Sequence, residues 1–272
     1  MSSPFRSIKR FLSTLGLGHE RGSKSGHTAS RQSLPPALFP TREYTASVSA
    51  WATSIQDLAE HQACRLRCIV HCKAKSGSRH EFLLIHVRHP SGKDAVVLAD
   101  RDTLPDDDDT PPRGKVEMDM RGLGIAPSHD RIRLSSDGTT TSLTRHIPSG
   151  WAEIHTLKFP KASEAPSVAH LAALLTVLDR HVLSPSASAE ARSGWFAYCV
   201  VEVMREIFGG SVKTNKEWVR ELYGGMKVEG RDTVDVLIRE FKPAWEDFSR
   251  RMTRGTAPSN SVCFRGCSFV RT

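Results

Sequence analysis

The spacing of apolar residues changes from helical to strand-like at about residue 64. Over residues 47–61 the apolar positions follow an amphipathic helix with one buried face. They are Val48, Trp51, Ile55 and Leu58. The next run, CRLRCIVHCKA, alternates and indicates a strand that ends at the turn SGS. Residues 82–87 predict a central strand covered on both faces, and residues 94–101 predict a third strand. Short turns between consecutive strands favour an antiparallel meander.

The second half of the chain is predicted to be mainly helical. Residues 166–182, 190–208 and 234–252 each place large apolar side chains on one face. Pro243 is expected to kink or divide the last of these helices. Weaker strand candidates precede them, with the sequences VEMDM, DRIRLS, TTTSLTRH and AEIHTLKFP. Together these elements predict an α+β fold, in which a mostly antiparallel sheet packs against two or three C-terminal helices.

Composition divides the chain into one domain and its flanking segments. Residues 1–44 are rich in Ser, Gly, Arg and Pro, which predicts a disordered basic tail. Residues 45–252 are predicted to form a single α+β domain. The tract LPDDDDTPPRG interrupts it and predicts a disordered acidic loop near residues 103–114, because adjacent carboxylates repel and prolines break strand ladders. Residues 253–272 are predicted to be a flexible C-terminal tail.

The net charge of +8 lies mainly in the tail. We therefore expect no specific nucleic-acid partner, although a basic tail binds acidic surfaces non-specifically. Apolar residues of the tail also follow near-helical spacing, which is similar to a mitochondrial presequence or a membrane-surface helix. They are Phe5, Ile8, Leu12 and Leu15. No run is long enough for a transmembrane segment. The expected location is intracellular, in the cytoplasm or nucleus, with the mitochondrion as the alternative.

Neither a metal nor a cofactor is predicted. Cys64, Cys68 and Cys72 are spaced four apart, which would place three thiols on one side of an element. Structural zinc uses paired cysteine clusters, and no matching second pair exists. The glycine-rich signatures of nucleotide binding are also missing.

One arrangement of residues has the order of a catalytic site. His80 opens a predicted strand, Asp100 ends the next, and a predicted helix begins near ARSGWFAYC. A histidine on a sheet that faces a nucleophile near a helix N-terminus can take the proton of that nucleophile. The candidates are His80 as general base, Asp100 as its orienting group, and Ser193 or Cys199 as nucleophile.

Two motifs around these residues resemble motifs of other proteins. HEFLLIHV, followed after a long gap by GWFAYCVVEVMREIFGG, resembles a group of uncharacterised proteins from mushroom-forming fungi, over residues 45–252. That group carries HEF in a strand and NCYWFA at the start of a helix. The pair is in turn similar to the histidine strand and cysteine helix of lecithin:retinol acyltransferase-like and permuted amidase enzymes, which implies a permuted papain-like fold. At the cysteine position of the group this chain has Ser193, and at the asparagine position it has Arg192.

Three hypotheses of function follow. The first is a non-catalytic or degenerate papain-like domain that acts in binding or interaction, with a pocket lined by Trp195. The second is a hydrolase or acyltransferase that uses His80 with Ser193 or Cys199. The third is an adaptor whose basic tail, residues 1–42, docks on a membrane or nucleic acid. The partner itself is not predicted.

Overall fold

The described residues form one seven-stranded sheet with helices packed on it. The computed structural model describes residues 34–58, 60–75, 80–102, 129–145, 147, 150–159, 164–181, 187–217 and 231–255. The strands are β1 (Tyr44–Ser47), β2 (Arg65–Ala74), β3 (Glu81–Arg88), β4 (Asp94–Asp102), β5 (His129–Leu134), β6 (Trp151–Lys158) and β7 (Ser211–Thr214). Their order in the sheet is β1-β5-β4-β3-β2-β6-β7. Every neighbouring pair is antiparallel, so the predicted meander of β2, β3 and β4 is confirmed.

Six helices accompany these strands in the described part of the chain. They are α1 (Val48–Gln56), α2 (Glu60–Ala63), α3 (Thr140–Thr144), α4 (Val168–Leu178), α5 (Ala189–Phe208) and α6 (Arg231–Gly255). Residues of α1, α4, α5 and α6 share one hydrophobic core with one side of the sheet, which we call the helix face. The predicted α+β class is therefore confirmed. Pro243 was expected to kink or divide the last helix, and it does not divide it, because α6 continues through that residue.

The two faces of the central strands bury different sets of side chains. Leu83 and Val97 belong to the core on the helix face. Leu84 and Leu98 belong to a smaller cluster on the opposite face, which Leu143 of α3 helps to cover. Because side chains alternate along a strand, a central strand buried on both faces reads as a continuous apolar run. The sequence HEFLLIHV follows this rule, as predicted.

Two boundaries differ from prediction. The stretch 139–146 was expected to be a strand, but it contains α3, because the hydroxyl of Thr139 accepts the backbone N–H of Ser142 and caps a short helix. The folded domain also begins before residue 45. Leu38 is 1% exposed, and Trp51 Nε1 donates to the carbonyl of Ala37 at 3.0 Å. The predicted strand VEMDM, the acidic loop and most of both tails lie outside the described residues.

Candidate functional site

His80 and Glu81 are adjacent in the chain but serve opposite faces of the sheet. His80 Nε2 lies 3.3 Å from Oδ2 of Asp100, as the catalytic hypothesis expected for a base and its orienting group. The same carboxylate oxygen accepts Nη2 of Arg133 at 2.6 Å and lies 3.6 Å from Nη2 of Arg131. These four residues, His80, Asp100, Arg131 and Arg133, are named the Asp100 cluster. Asp100 is two positions from Leu98 in β4, and side chains two positions apart lie on the same face of a sheet. The Asp100 cluster therefore lies on the face opposite the main helices.

The Asp100 cluster places an ionised carboxylate beside two guanidinium groups. Burial acts to raise the pKa of Asp100, but the hydrogen bond from His80 and the charges of Arg133 and Arg131 outweigh it and lower this pKa to about 2. The carboxylate is therefore ionised at neutral pH, and one negative charge faces two guanidinium groups. Arg131 is 36% exposed and Arg133 is 23% exposed, so both remain open to solvent.

Ser193 lies on the other side of the sheet, in the second turn of α5. Its side chain is fully buried. The hydroxyl oxygen accepts the backbone N–H of Glu81 at 3.1 Å, and the hydroxyl group donates to the carbonyl of Glu190 at 3.1 Å. The contact between His80 and Ser193 that the hydrolase hypothesis requires is not formed. The strand and the helix are adjacent, as the resemblance implies, but the residue that meets Ser193 is Glu81.

A second group of charged residues surrounds this contact. Lys73 Nζ lies 2.9 Å from Oε1 of Glu81 and 2.7 Å from Oε1 of Glu190. His71 Nε2 lies 2.6 Å from Oε2 of Glu81. We name these residues, His71, Lys73, Glu81, Glu190 and Ser193, the Lys73 cluster. Its members are at most 2% exposed, except Glu190, whose side chain is 40% exposed.

The Lys73 cluster is a closed network. Burial acts to raise the pKa of Glu81, but hydrogen bonds and charge from His71 and Lys73 outweigh it, so the pKa lies below its ordinary value. The backbone of α5 rests directly on this carboxylate. A Cβ added at Gly194 would lie 3.2 Å from the carboxylate atoms of Glu81. No room for a substrate separates the helix from the strand at this point.

Sequence reasoning missed Lys73, Glu81 and Glu190 as a group. One signal could have found two of them. Lys73 and Glu81 are opposite each other across the β2–β3 hairpin, where Lys73 is near the end of one predicted strand and Glu81 directly precedes the predicted central strand. Charged residues in such strands are buried and therefore need partners. The third residue, Glu190, arrives from 117 positions away in the chain, which no local pattern reports.

Cys199 belongs to the core. Its side chain is fully buried, and this burial raises the pKa of the thiol to about 12, against the opposing charge of Arg101. A thiolate nucleophile is therefore disfavoured at this position. Trp195 lines neither the cavity beside residues 36–44 nor the cavity between α4 and α6. It packs on the guanidinium of Arg101, whose Cζ is 5.0 Å from the ring centroid.

One serine does touch a histidine, at a place that the sequence analysis overlooked. Ser167 Oγ lies 2.7 Å from Nδ1 of His170. The pair is a capping box, because the Ser167 hydroxyl also accepts the backbone N–H of His170 while Nδ1 accepts the backbone N–H of Ser167. Burial lowers the pKa of His170 to about 3, and its ring stacks on Trp245. These contacts fix the start of α4.

The cysteine series does not line one side of an element. A register shift between Leu66 and Cys68 changes the alternation in β2. Cys64 consequently lies in the core of the helix face, whereas Cys68 and Cys72 face the opposite side. These thiols are free, and the described residues contain no group of three His, Cys, Asp or Glu side chains arranged for a metal ion.

Comparisons with known proteins do not assign this chain to a family. No family model, no curated protein and no solved structure matches this chain. Among the helices that the structure describes, none is both long and apolar enough to cross a membrane.

Proposed function

We propose that this chain is a non-catalytic domain that acts in binding or interaction. The observation that carries the proposal is the hydrogen bonding of Ser193, which stands where the fungal group has its cysteine. Its hydroxyl is buried, accepts from the Glu81 backbone and donates to the Glu190 carbonyl. A serine attacks only when a base can take its proton, and here that proton is held by a carbonyl.

The other catalytic candidates support the same proposal. Cys199 is buried with a raised thiol pKa, and His80 is engaged with Asp100 on the opposite face. On this interpretation the helix–strand junction of a papain-like enzyme has been converted into a structural contact. The permuted papain-like fold, the kinship with the fungal group and the intracellular location remain predictions. The adaptor hypothesis concerns residues 1–42, most of which lie outside the described residues.

Chemical labelling tests the non-catalytic part of the proposal. The folded protein is treated with a fluorophosphonate, which modifies activated serines, and with iodoacetamide. We expect no adduct on Ser193, and no modification of Cys199 until the protein is unfolded. A stoichiometric fluorophosphonate adduct that Ser193→Ala abolishes, and that the exposed-serine control Ser49→Ala leaves intact, would establish a hydrolase instead.

A further inference from the structure

Three residues form a row across the strands β2, β6 and β7 on the helix face of the sheet. His71 of β2 is directly opposite His155 of β6, and His155 is directly opposite Thr214 of β7. The imidazole rings of His71 and His155 have centroids 5.6 Å apart, with 39° between their planes. We call these two residues the histidine pair. His71 is 2% exposed and His155 is half-buried, so the pair lies at the boundary between the core and solvent.

One ring nitrogen of each histidine is already held by an oxygen atom. His71 Nε2 lies 2.6 Å from a carboxylate oxygen of Glu81, and His155 Nδ1 lies 3.1 Å from the hydroxyl oxygen of Thr214. An ionised carboxylate only accepts hydrogen bonds, so Nε2 of His71 carries the proton of this contact. Histidines that bind metals generally donate their other ring N–H to an oxygen in this way. The histidine pair therefore has the outer contacts of metal ligands.

The remaining nitrogens are the candidate ligand atoms. Nδ1 of His71 is buried and has no hydrogen-bond partner among the described residues. In a neutral imidazole with its proton on Nε2, this atom carries an unshared electron pair, and burying it unpaired is unfavourable. On His155 the corresponding nitrogen is Nε2. Burial, with a smaller effect from the nearby His71, lowers the pKa of His155 to about 4, so its ring is neutral at pH 7.

The separation of the two rings suits one shared ion. Zn²⁺ binds imidazole nitrogen at about 2.0–2.1 Å, which places two ring centroids about 5–5.5 Å apart in tetrahedral coordination. The observed separation of 5.6 Å is within a small side-chain rotation of that value. His155 can make this rotation because it is half-buried and lies next to the edge strand β7.

We propose that His71 and His155 together bind one divalent transition-metal ion of the class that prefers imidazole, such as Zn²⁺ or Cu²⁺. The described residues contain no group of three His, Cys, Asp or Glu side chains arranged for a metal ion, so water fills the other coordination positions. The ammonium group of Lys73, 2.9 Å from the second oxygen of Glu81, opposes a cation here. We therefore expect weaker binding than at a site with four protein ligands. The bound ion joins β2 to β6 and stabilises the folded protein.

Titration of the full chain with Zn²⁺ alone at pH 7 tests the proposal. Long-range proton–nitrogen correlation NMR follows the imidazole nitrogens, and we expect a small excess of Zn²⁺ to shift Nδ1 of His71 and Nε2 of His155. Calorimetry measures the affinity. His155→Ala removes a ligand and weakens this binding about a hundredfold or more, whereas Thr214→Val removes only the hydroxyl that orients His155 and weakens it about tenfold.

His86→Ala is the matched control. His86 is also half-buried and lies in the same sheet, but on the face opposite the histidine pair, so its removal leaves the affinity unchanged. Circular dichroism verifies that each variant is folded. The inference does not depend on the function proposed from Ser193, because neither the NMR shifts nor the affinity involves that residue.

Three results overturn the proposal. The first is binding of Zn²⁺ that leaves Nδ1 of His71 and Nε2 of His155 unshifted, which places the ion elsewhere in the chain. The second is an affinity that falls equally in His155→Ala and His86→Ala, or in neither. The third is a shift that appears only at a large excess of Zn²⁺, which indicates an adventitious ion only.

Discussion

The two charged clusters on opposite faces of the sheet differ in how completely they are enclosed. In the Lys73 cluster an ammonium group lies between two carboxylates, under the backbone of α5, and is 1% exposed. In the Asp100 cluster the carboxylate is buried and the cations around it are partly open to solvent. In the Lys73 cluster the charged groups are paired with one another. The Asp100 cluster encloses only its carboxylate.

The difference originates in two adjacent residues. His80 and Glu81 point to opposite faces because side chains alternate along a strand. A catalytic interpretation needs the histidine on the helix face, where α5 lies. The structure has the glutamate there, and the histidine joins the exposed cluster. A shift of one position in the strand therefore separates the buried contact with α5 from the partly exposed Asp100 cluster.

Removal of the central cation is expected to have the largest effect. Lys73→Met keeps the length of the side chain but leaves Glu81 without its ammonium partner. Loss of one member of a buried ion pair costs about 3–5 kcal/mol in the free energy of unfolding. Urea denaturation followed by circular dichroism measures it, with the exposed Lys158→Met as control, for which we expect less than about 0.5 kcal/mol. A loss below about 1 kcal/mol for Lys73→Met would mean that the Lys73 cluster contributes little to stability.

The Asp100 cluster is expected to respond to acid. The folded pKa of Asp100 is about 2, below its ordinary value of 3.8. Its ionisation therefore contributes about 2 kcal/mol that is fully present above pH 4 and is lost as the pH falls through about 2. Asp100→Asn should be less stable than the unmodified protein at pH 7, and the difference should narrow towards pH 2. A difference that stays constant over pH 7 to 2, measured by urea denaturation, would contradict the assigned ionisation.

Gly194→Ala tests the close approach of α5 to the Lys73 cluster. At an exposed helical position this change would stabilise the protein by about 0.5–1 kcal/mol. Here the new methyl group would meet the Glu81 carboxylate, which Lys73 and His71 hold in place. We expect a destabilisation of about 1–3 kcal/mol, as for other overpacked sites. The sign of the change in thermal unfolding temperature decides the result, and stabilisation would show that the carboxylate moves freely.

The smallest effect is expected for Arg131→Gln. This side chain is 36% exposed and lies 3.6 Å from Asp100, so its contribution to stability should be below about 1 kcal/mol. Urea denaturation in low and high salt measures it. A loss as large as that of Lys73→Met would contradict a minor role of Arg131 in the stability of the folded protein.

Much of the fold could be predicted from local patterns. The central strands and the helices α4 to α6 were predicted because long apolar runs and helical spacing are strong signals. The strands β1 and β7 were missed because each has only four residues, exposed on alternate or most positions. The helix α3 was mistaken for a strand, since a threonine-rich stretch favours strands while a hydroxyl cap favours a helix start.

The candidate site was predicted only in part, because it depends on which face each strand presents to α5. The sequence by itself determined that β3 is a central, doubly buried strand and that His80 and Asp100 lie at the ends of paired strands. The tertiary structure decided that Glu81 meets Ser193, that Glu190 completes the Lys73 cluster, and that Arg131 and Arg133 surround Asp100. The physical reason is that a residue pattern shows how apolar and polar side chains alternate within one segment. The burial of a side chain and the pairing of its charge depend on contacts with segments that are far apart in the chain.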